Sequence, residues 1–344
     1  MNILVIGSGA REHAICYAVS QSSRLNELYA IPGNYGISQL AECHIIDINN
    51  FNEIYAFAIK KNIDLIIVGP EVPLVNGIVD YFTSKKIKIF GPDKFAAQLE
   101  GSKSFMKDLC REYNIPTAQY EKFQNSDDAI KYLEKQSYPI VIKADGLAAG
   151  KGVTIAEDFK AASIAVQDVF NHKFGENMDV VIEEFMHGEE ASYFVCSDGK
   201  DFVSLISAQD HKRIGEGDTG PNTGGMGAYS PAPVFTDNVK KQVDTEIIKP
   251  TLRAMINKGH PFKGILYAGL MIKNEKAKLV EYNIRFGDPE CQVLMMSIKS
   301  DLIDLITYTI DGSIKDYKCD WHDEDCATVV LASKGYPGEF KKDR

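Results

Sequence analysis

No apolar run in the 344 residues approaches the roughly 18 needed to cross a bilayer. Met1–Gly7 passes straight into a strand-like segment, without the charged start, long apolar stretch and cleavage site of a secretory signal. The seven cysteines are odd in number and none stands in a C-x-x-C pair. That excludes a disulfide framework and a zinc site, and reads as reduced thiols of a cytoplasmic protein. Positive charge is in short supply: 38 Lys and Arg against 48 Asp and Glu, a formal net charge of −10. A general nucleic-acid binder is therefore not expected. Basic residues that matter should be local and face an anionic ligand. The chain is too long for one core, so two or three domains are expected.

A P-loop is also missing. That motif needs four residues between its first Gly and the Gly-Lys, then Ser or Thr, then a helix. Here three residues separate Gly146 from Gly150-Lys151, Gly152 stands in the Ser/Thr position, and Val153–Ile155 returns to strand-like residues. With the apolar run Ile140–Ile142 and Lys143 before it, the unit reads strand, glycine loop, strand. Such a loop can fold over bound phosphates, because glycine permits close backbone approach and its N–H groups can face oxygens. The bland alternative is a hairpin turn that happens to carry Lys151.

The first hundred residues alternate strands and helices. Strands at Asn2–Ile6, Leu28–Ile31, Asp64–Val68 and Ile87–Phe90 are separated by helices such as Phe51–Lys61 and Gly77–Lys85. This predicts a parallel, doubly wound α/β sheet with ligands at the carboxyl ends of its strands. The turn Gly7-Ser8-Gly9 before a helix can hold an anion on free N–H groups. A dinucleotide fingerprint would need a third Gly where Glu12 stands. Gly69-Pro70-Glu71 ends the third strand beside it.

Beyond residue 95 the pattern changes. A helix is expected over Ala96–Tyr113, with Gly101-Ser102-Lys103 inside it, and another over Asp127–Lys135 capped by Ser126. The strand Val180–Phe185 runs into acidic residues Glu183, Glu184, Glu189 and Glu190, either a solvated edge or a hinge that reads a nucleotide. Ala208–Arg213 is the densest polar cluster, and Gly220–Gly227 reads as a long loop. A helix over Asp237–Lys258 should bend or split at Pro250. An antiparallel pair, Gly264–Ile272 and Ala277–Tyr282, turns at Asn274-Glu275. Period two puts Glu281, Asn283 and Arg285 on one face, with Val280, Tyr282 and Ile284 towards the core. Carboxylate and amide oxygens side by side suit a hard cation such as Mg²⁺, and Arg285 can hold a phosphate or carboxylate. A polar sheet face with an internal ion pair is the bland reading.

Lys143 with its glycine loop, Glu183-Glu184-Phe185 before Glu190, and Glu281-x-Asn283-x-Arg285 together resemble the ATP-grasp ligases. Gly9–His13, Gly69–Leu74, Lys143–Val153, Gln209–Arg213, Gly220–Pro233 and Arg285–Glu290 resemble, more narrowly, the phosphoribosylamine–glycine ligase family. The resemblance implies an N-terminal α/β substrate-binding domain (1–102), an ATP-grasp domain (103–325, α+β, its lid about 120–190) and the start of a C-terminal β-containing domain (326–344), which the family continues past Arg344. It implies ligation of glycine to 5-phosphoribosylamine through glycyl phosphate, with ATP and Mg²⁺ (Mn²⁺ as an alternative), by a cytoplasmic monomer without nucleic-acid or membrane partners. Carried over by motif, Lys103, Lys143, Gly150, Lys151, Gly152 and Val153 meet the ATP phosphates. Glu183 and Phe185 meet the adenine edge, Glu184 belongs to the same nucleotide-binding set, and Glu190 meets the ribose. Glu281 and Asn283 hold the metal; Arg285, with Lys212 and Asp210, is catalytic. Gly9, Arg11, Gly69, Pro70 and Glu71 hold the phosphoribosyl part, and Thr223, Gly224, Gly225, Gly287, Asp288, Pro289 and Glu290 line the glycine and amine site. Many ATP-grasp enzymes carry a further metal carboxylate on the preceding strand, but Leu266–Ile272 has no acid. Two alternatives remain: a ligase for another acid or amine, and an ATP-binding regulatory module without turnover.

Overall fold

The computed structural model describes residues 1–147, 152–176, 178–217 and 219–339. Its first sheet is parallel throughout, with five strands in the order Glu42–Cys43, Glu27–Pro32, Asn2–Gly7, Leu65–Val68, Lys88–Phe90. Apolar, β-branched runs such as Leu65–Val68 form these strands because both sheet faces are covered by helices. The central strand is flanked by the second and fourth strands in sequence, so the turns after Gly7, Pro32 and Val68 converge at one end. The two-residue strand Glu42–Cys43 has no period to betray it and is an addition to the sequence reading.

Two antiparallel four-stranded sheets follow. One has the order Tyr120–Phe123, Val180–Glu184, Ile140–Ala144, Val153–Ala156. Its even positions Ile140, Ile142 and Ala144 pack under helices Ser126–Leu133 and Phe159–Phe170 in a core of their own. Period two therefore turns Val141 and Lys143 to the opposite face, towards a cavity. The other sheet has the order Phe202–Ser204, Glu189–Asp198, Lys263–Lys273, Lys276–Asn283. Its faces share two cores with the N-terminal sheet: Tyr193 and Leu266 belong with Ile6 and Phe82, and Phe194 and Ile265 with Val5 and Ile15.

Several local expectations change. Ser102 breaks the long helix into Gln98–Gly101 and Lys103–Glu112; its extended backbone and its side chain, accepting from Phe105 N, start the second helix. Asn125, not Ser126, caps the helix Ser126–Leu133. Helix Asp237–Val243 continues through a π turn, Asp244–Ile248, into Lys249–Asn257. The wider turn accommodates Pro250, whose ring and missing N–H suit no ordinary helix interior. The supposed loop after Thr219 begins as a strand, Thr219–Asn222, paired with Arg213–Gly215; Gly215 has no side chain to collide with Thr219. Asn274 and Glu275 both have positive φ, which fits a two-residue hairpin turn. Cys326–Val329 joins Gly227–Ser230 and Gln209–Asp210 in a three-stranded sheet.

The pairing of Lys276–Asn283 also corrects the expected face of Val280. Gly269 opposes Glu281 and Leu270 opposes Leu279, so Val280 is the extra residue of a bulge. Before it Ala277 and Leu279 face the core; after it Tyr282 and Ile284 do. Val280 lines the cavity next to Glu281.

Candidate active site

A cavity of about 380 Å³ lies between the two antiparallel sheets, walled by Val141 and Lys143 on one side and Met271, Val280 and Glu281 on the other. The glycine unit is anchored at its base. Asp145 accepts from Ser104 N at 3.1 Å, at the start of helix Lys103–Glu112, and Lys103 Nζ donates to Gly146 O at 2.8 Å. Gly152 and Val153 line the cavity, while Gly150 and Lys151 lie outside the described residues.

Lys143 lies within the strand Ile140–Ala144. It is buried, and its Nζ is 3.0 Å from Glu183 Oε2. A second, fully buried lysine that the sequence reading missed, Lys107, reaches the same oxygen at 2.9 Å. Its signal is visible afterwards: Lys103 and Lys107 are four apart on one helix face. Burial pulls the Lys107 ammonium below the usual lysine range, with Glu183 opposing. Glu184, Phe185 and Glu190 line the same cavity, and Glu184 is also paired with Lys278 at 2.9 Å.

On the opposite wall stands Glu281. Burial pushes its carboxyl up, but Lys212, Lys143, Lys103 and Arg285 together bring it below its usual range. Among the described residues no hydrogen bond or ion pair closes on its oxygens. Asn283 is buried two residues on, its Oδ1 accepting from Arg285 at 2.9 Å. An ionised carboxylate beside an amide oxygen fits a hard divalent cation that completes its shell with water and phosphate. No group of three or more His, Cys, Asp or Glu that could hold a metal exists among the described residues, so a site made wholly of such side chains is not offered.

Arg285 is fixed from several directions. It donates to Glu100 Oε1 at 2.8 Å and Phe286 O at 3.2 Å, and its Nε is 3.5 Å from Glu71 Oε2. Glu100 had no signal in the sequence. Burial raises its carboxyl above the usual range, with Arg285 opposing. Lys212 donates to Glu190 Oε2 at 2.9 Å and is 3.9 Å from Asp210. Burial pushes the Asp210 carboxyl up to about 7. Burial would lower the Lys212 ammonium, but Asp210 and Glu190 outweigh it and raise it well above the usual range.

The glycine-rich segments divide between lining and support. Thr223, Gly224, Asp288 and Glu290 line the cavity. Gly225, at φ +119°, lies where a Cβ would meet Pro289 Cδ at 2.4 Å, so Gly225 and Pro289 pack on each other. A Cβ on Gly287 would fall 2.2 Å from Glu290 Oε2. Glu290 is buried, accepting at Oε1 from Ser192 at 2.9 Å and Tyr267 at 2.7 Å.

A second cavity, about 400 Å³, lies where the turns of the parallel sheet converge. Gly9, Arg11 and Pro70 line it; Asp288 lines both cavities. Glu12 changes the expected anion site. Its Oε2 accepts from Gly9 N at 2.6 Å, so that N–H is not free, and its Oε1 accepts from Arg11 at 2.6 Å. Gly69 lines neither cavity; a Cβ there would lie 2.0 Å from Glu12 Oε1. Arg11 also donates to Phe286 O at 3.3 Å, tying this turn to the Arg285 segment.

Comparison with known proteins places this geometry. Residues 1–100 match the family described as phosphoribosylglycinamide synthetase, N domain, and residues 101–291 match phosphoribosylglycinamide synthetase, ATP-grasp (A) domain. The chain is 52% identical over 343 residues to the phosphoribosylamine–glycine ligase of Agrobacterium fabrum, covering 99% of this chain and 81% of that protein. It is 48% identical over 345 residues to that of Clostridium acetobutylicum, covering 99% and 82%. The crystal structure of phosphoribosylamine–glycine ligase from Thermotoga maritima is similar with a TM-score of 0.86 at 30% identity, covering 99% of this chain and 83% of that one. Two family domains in tandem, half the residues shared with full-length relatives and a common fold lead to one conclusion: the chain belongs to the phosphoribosylamine–glycine ligase family of ATP-grasp enzymes.

Proposed function

We propose that the two cavities together join glycine to 5-phosphoribosylamine at the expense of ATP, giving glycinamide ribonucleotide, ADP and phosphate by way of glycyl phosphate. The observation that carries this reading is the Glu281 carboxylate, set among Lys103, Lys143, Lys212 and Arg285 in a cleft that meets a second cavity at Asp288. Charge so arranged suits an anionic, phosphorylated ligand on one side and an acceptor on the other.

In this reading Lys103 and Lys143 face the triphosphate and the strand entry Gly152-Val153 covers it. Glu183, Glu184 and Phe185 form the wall for adenine, and Glu190 takes the ribose hydroxyls. Glu281 and Asn283 hold the divalent cation, Mg²⁺ with Mn²⁺ as an alternative, which when bound supplies charge neutralisation at the phosphates. Arg285, charged at any working pH, orients the glycine carboxylate and stabilises the transferring phosphoryl group. Lys212, Asp210, Thr223 and Glu290 bound the space for glycine and the attacking amine. Gly9, Arg11, Pro70 and Asp288 bound the phosphoribosyl part. Positioning of the two small substrates supplies up to about 7–11 kcal/mol of the barrier.

ADP release is the test, measured with Mg–ATP, glycine and freshly generated phosphoribosylamine, omitting each in turn. Release that needs all three is expected. Release without glycine, or with other amino acids equally well, would sink the assignment.

A further inference from the structure

Glu183 Oε2 is shared by two lysines on opposite sides of the cleft wall. Lys143, at 3.0 Å, lines the cavity; Lys107, at 2.9 Å, does not. Lys107 has no exposed surface, and its Nζ also donates to Thr117 Oγ1 at 2.8 Å. Thr117 in turn donates to Leu279 O at 2.7 Å, on the strand that carries Glu281. The other oxygen, Glu183 Oε1, is enclosed without a hydrogen-bond partner.

One carboxylate cannot neutralise two ammonium groups. The pair of lysines therefore has a positive charge to spare, and only Lys143 can present it to a ligand. If Lys143 were the sole partner of Glu183, moving to a phosphate would strand a buried carboxylate, which is costly. We propose that Lys107 is a positioning residue for nucleotide binding: from behind the wall it pairs with Glu183 and holds that carboxylate in place, so that Lys143 is free to engage a phosphate. The inference rests on the reading of this cleft as a nucleoside triphosphate site.

The test is calorimetric titration of the full chain with Mg–ATP and with Mg–tripolyphosphate, which carries phosphates without a base. Lys107→Met is expected to weaken tripolyphosphate binding at least tenfold, because Glu183 retains Lys143. The double variant K107M/E183Q removes both enclosed charges and should bind tripolyphosphate within threefold of wild type. A purely structural role for Lys107 would not produce that recovery. The proposal is overturned if K107M binds as wild type does, or if K107M/E183Q binds no better than K107M. Should K107M fail to fold, the double variant decides alone: tenfold weaker binding than wild type overturns the proposal, and binding within threefold supports it. Failure of the wild-type chain to bind Mg–ATP would instead bring down the reading of the cleft itself.

Discussion

Glu100 and Arg285, 185 residues apart in sequence, meet at 2.8 Å in the interior. The second oxygen of Glu100 accepts from Ile284 N at 2.8 Å, so one carboxylate fixes both the backbone and the side chain of the segment that carries Arg285. Glu100 lies in the short helix Gln98–Gly101, just ahead of the Ser102 break that starts the helix of Lys103 and Lys107. The link therefore runs from the end of the first matched domain to the Arg285 segment of the second.

Glu100→Ala should leave Arg285 with its weaker partners and Ile284 N without an acceptor. Breaking a buried pair from one side costs about 3–5 kcal/mol. We expect a clear fall in thermal midpoint and a drop in kcat that exceeds any change in KM for ATP. An unchanged kcat in folded protein would show that Arg285 needs no such support.

Arg285→Ala is expected to lower kcat by about 10²–10³ while Mg–ATP still binds, as for loss of a preorganised charge that acts on the transition state. Arg285→Lys should not restore it, because a lysine cannot reach Glu100 and Asn283 with a planar fork. Turnover near wild type in either variant would remove Arg285 from the chemistry.

Glu281→Gln keeps the shape and removes the charge. The prediction is a higher Mg²⁺ concentration for half-maximal activity, with Mn²⁺ compensating in part because it binds N and O ligands more tightly than Mg²⁺ does. Identical Mg²⁺ titrations for variant and wild type would put the metal elsewhere.

Asp210 offers a pH signature. Its carboxyl is raised in the folded chain to about 7, from an unfolded value of roughly 3.9. A raised value means its stabilising contribution is fully present below about pH 4 and is lost as pH rises through about 7. Asp210→Asn lacks this linkage, so its thermal midpoint should gain on wild type across that window and keep a constant lead above it. A difference that does not vary with pH would show that burial does not perturb Asp210.

What could be read in the sequence was local. The glycine unit, the acidic strand end at Glu183 and the Glu281–Arg285 face are each contiguous, and short-range periodicity was enough to see them. The α/β alternation of the first hundred residues was legible for the same reason. Lys107 and Glu100 were not, because their meaning lies in partners brought close only by tertiary packing. The bulge at Val280 escaped because one inserted residue leaves the composition of a strand unaltered while reversing its faces. Ser102 was in plain view, yet reading a helix through it ignored that Ser starts helices better than it continues them.

The most direct measurement follows oxygen. If the cleft activates the glycine carboxylate by phosphorylation, glycine labelled with ¹⁸O in its carboxylate must pass one labelled oxygen to inorganic phosphate in each turnover. Mass analysis of the released phosphate is expected to show that single label. Unlabelled phosphate alongside amide product would contradict the account.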